Sequence, residues 1–253
     1  MRPGRIVVAL LAALLLAGCV EITTQPPTEE PPDGTVGTAS PEGGEAGEGG
    51  GEGYRFLHTR DNGEPVRWST CEPIEYVVRP ANEPEGGRQM LEEAMARISE
   101  VTGLEFSFAA TTDEGPSDNR PPHHPDRYGE GWSPVLVAYS DPDEYPRLEG
   151  QIAGYAGPTY VQAGDRVPRY VGGMVVIDAE QTSNMGEEGV RAVMLHELAH
   201  VVGLAHVRDR GQLMNPVQYG RGVTDLQDGD LRGLRALGEG RCYNPIDPSG
   251  FAG

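Results

Sequence analysis

The sequence contains no lysine: its 20 basic residues are all arginine, set against 39 aspartates and glutamates, for a formal net charge of -19 at pH 7. A protein that binds nucleic acid must neutralise phosphates with a surplus of cationic side chains, so no nucleic-acid partner is expected. Acidity of this degree bears on solubility more than on mechanism. The lack of lysine beside plentiful Arg, Ala, Gly and Pro suggests a bacterium with GC-rich codons. Cysteine is scarce, three residues in all, and histidine numbers only six. No internal repeat is visible, and 253 residues can hold one mid-sized domain with extra segments.

The long apolar run from Ile6 to Ala17 follows Arg2 and Arg5. It is too short for a comfortable membrane span but suits the h-region of a signal peptide. It ends in Leu16-Ala17-Gly18-Cys19, which resembles the bacterial lipobox. That resemblance implies removal of residues 1–18 and lipidation of Cys19, anchoring the protein to the outer face of a cell membrane; an ordinary signal peptide with an incidental cysteine is the alternative. Each buried acyl methylene would contribute about 0.8 kcal/mol. Residues 19–53 are rich in Pro, Gly, Glu and Thr, with acidic residues and no basic ones. Such a stretch cannot bury enough apolar surface to offset its ordering entropy and reads as a disordered tether.

The chemistry concentrates in residues 196–206, HELAHVVGLAH. Val190, Val193, Met194, Leu195, Leu198, Val201 and Val202 recur at helical spacing, so His196 and His200 lie one turn apart on one helix face. Glu197 sits about 100° further round, aside from the ion two such imidazoles would hold but within reach of a water there. Gly203 can end the helix in a left-handed conformation, letting the chain double back to bring in His206. Three neutral nitrogens with one open position suit a catalytic zinc, with Glu197 as general base. Satisfied polar groups on a half-buried helix are the plain alternative. Yet three His, one Glu and one Gly at fixed spacing should arise by chance on the order of once in 10⁴ such chains.

The string resembles the extended zinc-binding motif of the metzincin metallopeptidases. Leu213-Met214-Asn215-Pro216 follows at a distance suited to the methionine turn of that group, with Met214 as its methionine. Some metzincin families place a tyrosine two residues after that methionine; Pro216 stands there, and the sequence looks closer to the matrixins, in particular to small bacterial secreted ones. The resemblance implies an α+β fold: a twisted mixed sheet of five strands, an active-site helix, the Met-turn and a C-terminal helix. It also implies one catalytic zinc on His196, His200 and His206. Gly150–Pro158 resembles the matrixin edge strand that pairs with an extended substrate. Gly154 and Tyr155 on that strand, with Pro216 and Tyr219 after the Met-turn, are candidate pocket residues. Where matrixins place two histidines for a second, structural zinc, this sequence has Gly154 and Val176, so a single zinc is expected. Asp178 and Glu180 keep acidic character where some matrixins bind calcium, and calcium stays open.

The domain should span residues 54–253. Ile74–Val78 reads as its first strand, Gly86–Thr102 as an amphipathic helix stopped by Gly103, Phe106 and Phe108 as a short strand, and Val135–Tyr139 as a buried strand. Gly172–Ile177 reads as a further strand and Glu187–Val202 as the zinc helix. A last helix is expected over Asp225–Leu237, with Thr224 and Gln227 as its capping box. His123 and His124 fall in a Pro- and Gly-rich loop and are read as solvated. With Cys19 set aside, Cys71 and Cys242 most simply pair outside the cytoplasm. The alternative, Cys71 as a latency ligand of the zinc, meets the sequence TCEPIEY, which lacks the matrixin switch motif.

The expectation is a monomeric, zinc-dependent endopeptidase acting on extracellular or cell-envelope proteins. It would be tethered through Cys19 or released by cleavage in the linker. A non-catalytic surface lipoprotein that binds a peptide or partner is the alternative, and hydrolysis of a non-protein envelope amide a third. Glu197 argues against the binding module, since a purely structural zinc needs no base and usually has four protein ligands.

Overall fold

The computed structural model describes residues 53–162, 166–216 and 222–251, together with the backbone of residues 35–36. The expected signal peptide, Cys19, most of the expected tether and Tyr219 lie outside the described residues.

The strands are β1 (Thr35–Val36), β2 (Arg55–Phe56), β3 (Ile74–Arg79), β4 (Phe106–Thr111), β5 (Val135–Ser140), β6 (Gly154–Val161), β7 (Arg169–Asp178) and β8 (Leu204–Ala205). The helices are α1 (Gly87–Thr102), α2 (Pro125–Tyr128), α3 (Ala179–Ser183), α4 (Glu187–Val202) and α5 (Asp228–Gly238). Strands β6, β7, β5, β3 and β4, in that spatial order, form a mixed five-strand sheet, and β1 adds to the outer edge of β6. Only β6 and β1 run antiparallel to their neighbours; β7, β5, β3 and β4 are parallel. This is the α+β arrangement expected from the sequence, a mixed five-strand sheet with a histidine-bearing helix and a C-terminal helix. The short strands β2 and β8 pair separately.

Helices cover one face of the sheet, where α4 lies against β6 and β7, and α1 packs between α4 and α5. The main core fills this layer with Ile74, Tyr76 and Val78 of β3, Val135, Val137 and Tyr139 of β5, and Leu91, Met95 and Ile98 of α1. Val77, Leu136, Ala138, Tyr155 and Val176 face the other way and pack under Tyr145 and Leu148. Strand β5 is therefore buried on both sides, which explains why it reads as an unbroken apolar run. Each such fully buried side chain contributes about 1.5–3 kcal/mol relative to exposure. Helix α4 is likewise buried continuously from Val193 to Val202. Its last turn is held by Trp68, whose indole N–H donates to the Val201 carbonyl at 2.8 Å.

Several elements differ from the sequence reading. The edge strand β6 starts at Gly154, because Gly150 adopts a φ of 93° in the preceding turn, and β7 begins three residues early, at Arg169. Helix α5 starts at Asp228, with Gln227 and Asp230 forming its capping box. The Thr224 hydroxyl instead donates to Glu188 at 2.9 Å, so it is not available as a cap. His123 is buried, with Nδ1 2.7 Å from the Gly131 carbonyl, because the loop folds back over it. Asp178 caps α3 by accepting from the Gln181 N–H at 2.8 Å. Cys71 and Cys242 are joined in a disulfide with Cα atoms 5.1 Å apart.

Candidate active site

Helix α4 carries the first two histidines, and its C-terminal turn delivers the third. Gly203 has a φ of 123°, and its N–H reaches back to the carbonyls of Ala199 and His200. A β-carbon there would also press on Tyr170 and Leu237 at 3.0–3.2 Å, so both conformation and space require glycine. From this turn the chain doubles back through β8, and His206 returns to the helix.

The three Nε2 atoms converge: His196 and His200 are 3.0 Å apart, and His206 lies 3.1 Å from each. The outer nitrogens fix the tautomers. Nδ1 of His196 donates to the Leu213 carbonyl at 2.8 Å and Nδ1 of His200 to the Leu204 carbonyl at 2.6 Å, which leaves each Nε2 as a bare lone pair. Burial holds all three imidazoles below their ordinary pKa, that of His200 at about 4, so they are neutral at pH 7. Lone pairs facing one another repel unless a cation lies between them. Tetrahedral zinc with bonds of about 2.05 Å separates its nitrogens by about 3.4 Å, close to the observed triangle. The donor set therefore fits zinc, and it is the one such cluster of His, Cys, Asp and Glu among the described residues.

Glu197 is fully buried, and neither carboxylate oxygen has a hydrogen-bond partner among the described residues. Burial alone drives its pKa well above the carboxylate range. An orphaned buried carboxylate is costly, and its position points to a partner that arrives with the reaction. It faces Gly154 of β6: a β-carbon on that glycine would come within 2.7 Å of Glu197 Oε1. The bare backbone of β6 is what makes room for the carboxylate.

The Met-turn closes the floor. Asp230 of α5 accepts from the N–H groups of Leu213 at 2.8 Å and Met214 at 3.3 Å, while also capping its own helix at Gln227. Gln212 answers by accepting from the N–H groups of Gly229 and Asp230. The Met214 carbonyl receives the Val207 N–H at 3.0 Å, and Asn215 donates to the Val207 carbonyl at 2.9 Å. The turn thus positions His196 through Leu213 and His206 through Val207. Asp230, Gln212 and Trp68 were not singled out from sequence. The Gln227–Asp230 spacing could have marked Asp230 as a cap, but nothing local signals its hold on the Met-turn.

Of the candidate pocket residues, Gly154 lies at the site, Pro216 follows the Met-turn and is half-buried, and Tyr219 is outside the described residues. Tyr155 does not line the site. It alternates to the opposite face, where its ring packs 5.8 Å from Tyr145 and under the Arg147 guanidinium. Val176 stands opposite Tyr155 in the ladder, whereas Gly154 pairs with Ile177. The two positions expected to mark a second zinc, Gly154 and Val176, therefore point to opposite faces of the sheet.

Residues 148–238 match the peptidase family described as matrixin. The chain is 31% identical over 129 residues to human neutrophil collagenase and 35% identical over 126 residues to horse interstitial collagenase. Each alignment covers 49% of this chain and 26% of the relative. Pig interstitial collagenase aligns at 35% identity over 82 residues, 32% of this chain and 17% of the relative. The chain thus spans about a quarter of the length of the curated relatives it matches.

Proposed function

Because residues 148–238 match the matrixin family, we propose that this chain is a matrixin-like, zinc-dependent endopeptidase whose site is His196, His200 and His206 with Glu197 as general base. The observation that carries the reading is the pairing of three convergent, neutral Nε2 atoms with a buried carboxylate that lacks a partner among the described residues.

The three imidazoles would hold the metal, with the tautomers of His196 and His200 set by the Leu213 and Leu204 carbonyls. Zinc, when bound, supplies a Lewis acid that polarises the scissile carbonyl and acidifies water. Glu197, made more basic by burial, accepts a proton from the attacking water at a carboxylate oxygen and returns it to the departing amine. Strand β6 is the outer strand of the five-strand sheet and takes a further strand, β1, by antiparallel pairing, a mode of pairing that suits an extended peptide. The Glu197 carboxylate has no hydrogen-bond partner among the described residues, which favours catalysis over a binding module.

The substrates in this reading are proteins outside the cell or in its envelope, reached from a lipid anchor on Cys19. The support is the lipobox-like Leu16–Cys19 and the acidic segment after it. The test is digestion of an unbiased peptide library by the whole chain, with zinc content measured in parallel and Glu197→Ala as control. About one zinc per chain, with cleavage lost in the variant and metal retained, is expected. A folded, metal-supplied protein without zinc overturns the reading. Growth in metabolically labelled lipid tests the anchor, with label lost in Cys19→Ser.

A further inference from the structure

Strand β6 borders the site, and as the last strand of the five-strand sheet it has an outer edge that can pair with a further strand. Such an edge recruits another strand wherever one is in reach. Here it is taken by β1, from the segment that composition alone assigns to a tether. The pairing is antiparallel, with Thr35 opposite Tyr155 and Val36 opposite Gly154. Gly154 is the residue whose bare α-carbon admits the Glu197 carboxylate, and β1 also lies beside α4, the helix that carries Glu197 and two of the histidines. Val36 therefore runs along the edge at the level of the reacting groups. The local sequence suits the role: Thr35-Val36 is a β-branched pair bracketed by Gly34 and Gly37, and residues 25–53 contain no other Val, Ile or aromatic residue.

We propose that Thr35–Val36 is an intramolecular occupant of the substrate cleft, competing with peptide substrates for the edge of β6. The proposal rests on the peptidase reading of the site and names the first peptide that site meets. Two residues of strand bind too weakly to hold the edge as a free peptide. Joined to the domain by fewer than about twenty residues, they act at an effective concentration in the millimolar range. Against peptide affinities of about 0.1–1 mM, that raises the apparent KM by about two- to tenfold and leaves kcat unchanged.

The experiment compares the whole, zinc-loaded chain with a variant carrying Thr35→Pro and Val36→Pro, which removes both backbone donors of β1. Peptide hydrolysis is measured over a range of substrate concentrations. Hydrogen exchange at residues 35–36 and 154–155 is measured in parallel in a Glu197→Ala background, where the segment cannot be cut by its own site. The expected result is a two- to tenfold lower KM in the double-proline variant at equal kcat. Slow exchange at Val36 and Gly154 in the parent should become fast at Gly154 in the variant, because Gly154 faces β1 while its neighbours Ala153 and Tyr155 bond to β7. Equal exchange at Gly154 overturns the proposal, and so does protected exchange with an unchanged KM. If no form cleaves any peptide, the peptidase reading fails separately, and the exchange data still decide whether β1 occupies the edge.

Discussion

Gly154→Ala tests the contact between β6 and the Glu197 carboxylate. The added β-carbon would lie 2.7 Å from Glu197 Oε1 and 2.9 Å from its Cδ and Cγ, whereas ordinary contacts begin at 3.4 Å. The shortfall is about 0.7 Å, and neither partner can yield freely: Glu197 is fully buried, and Gly154 is locked in the ladder with Ile177. Overpacking of this kind costs about 1–3 kcal/mol. A carboxylate displaced by somewhat less than 1 Å should lose roughly 10- to 100-fold in kcat, while the histidine ligands keep their zinc. The decisive measurement is a double-mutant cycle by urea unfolding. Gly154→Ala should destabilise the parent by about 1–3 kcal/mol and cost little in a Glu197→Ala background, where the obstructing atoms are gone. An equal cost in both backgrounds refutes the assigned clash, and a variant with undiminished kcat refutes the positioning argument.

Further outcomes follow from contacts elsewhere in the domain. Asp230→Asn places an amide N–H among the donors of Leu213, Met214 and Gln227; it should cost about 1–3 kcal/mol and release zinc faster to a chelator than the parent does. Replacing Cys71 and Cys242 by serine opens a loop of 171 residues. In the chain-entropy picture this lowers stability by up to about 5 kcal/mol, read as a lower denaturant midpoint; a midpoint equal to the parent's refutes it. Burial holds the His58 imidazole below the ordinary histidine value of 6.5, so below that pH the unfolded chain takes up a proton that the folded chain refuses. Stability should therefore fall as pH drops below about 6.5, by at most about 1.4 kcal/mol per unit from this group. Metal-free His58→Gln should show a shallower slope than the metal-free parent.

How much of this was legible in the sequence depended on the range of the interactions. The spacing of His196, His200 and Gly203 is a local property of one helix and its exit turn, so a linear reading could place them. The same holds for α1, whose apolar positions and stop at Gly103 lie within sixteen helical residues and their flank. The grip of Asp230 on Leu213 and Met214 joins positions 16 and 17 residues apart, and no periodicity carries that information. The face of Tyr155 depended on where β6 begins; a shift of one residue exchanges the two faces of a strand. Thr224 looked like a cap because serine-like residues favour helix starts, but Glu188 on a different helix captured its hydroxyl. His123 was read as solvated from the polarity of its loop, and only the folded path of that loop buries it. The pairing of β1 was hidden for a related reason: composition reports that a segment lacks a core of its own, not that a neighbouring edge is open to it.

The disulfide has a consequence for the lifetime of such a molecule. Cys71 precedes β3 and Cys242 follows α5, so the bond brackets most of the sheet, the histidine helix and the Met-turn. Any single backbone cut between those two positions leaves pieces that still form one covalent molecule. A nicked copy retains the packing that holds the three histidines together, and it separates into fragments only when a reductant is added. Tolerance of one nick means that a cut in a surface loop need not part the elements that carry the three histidines.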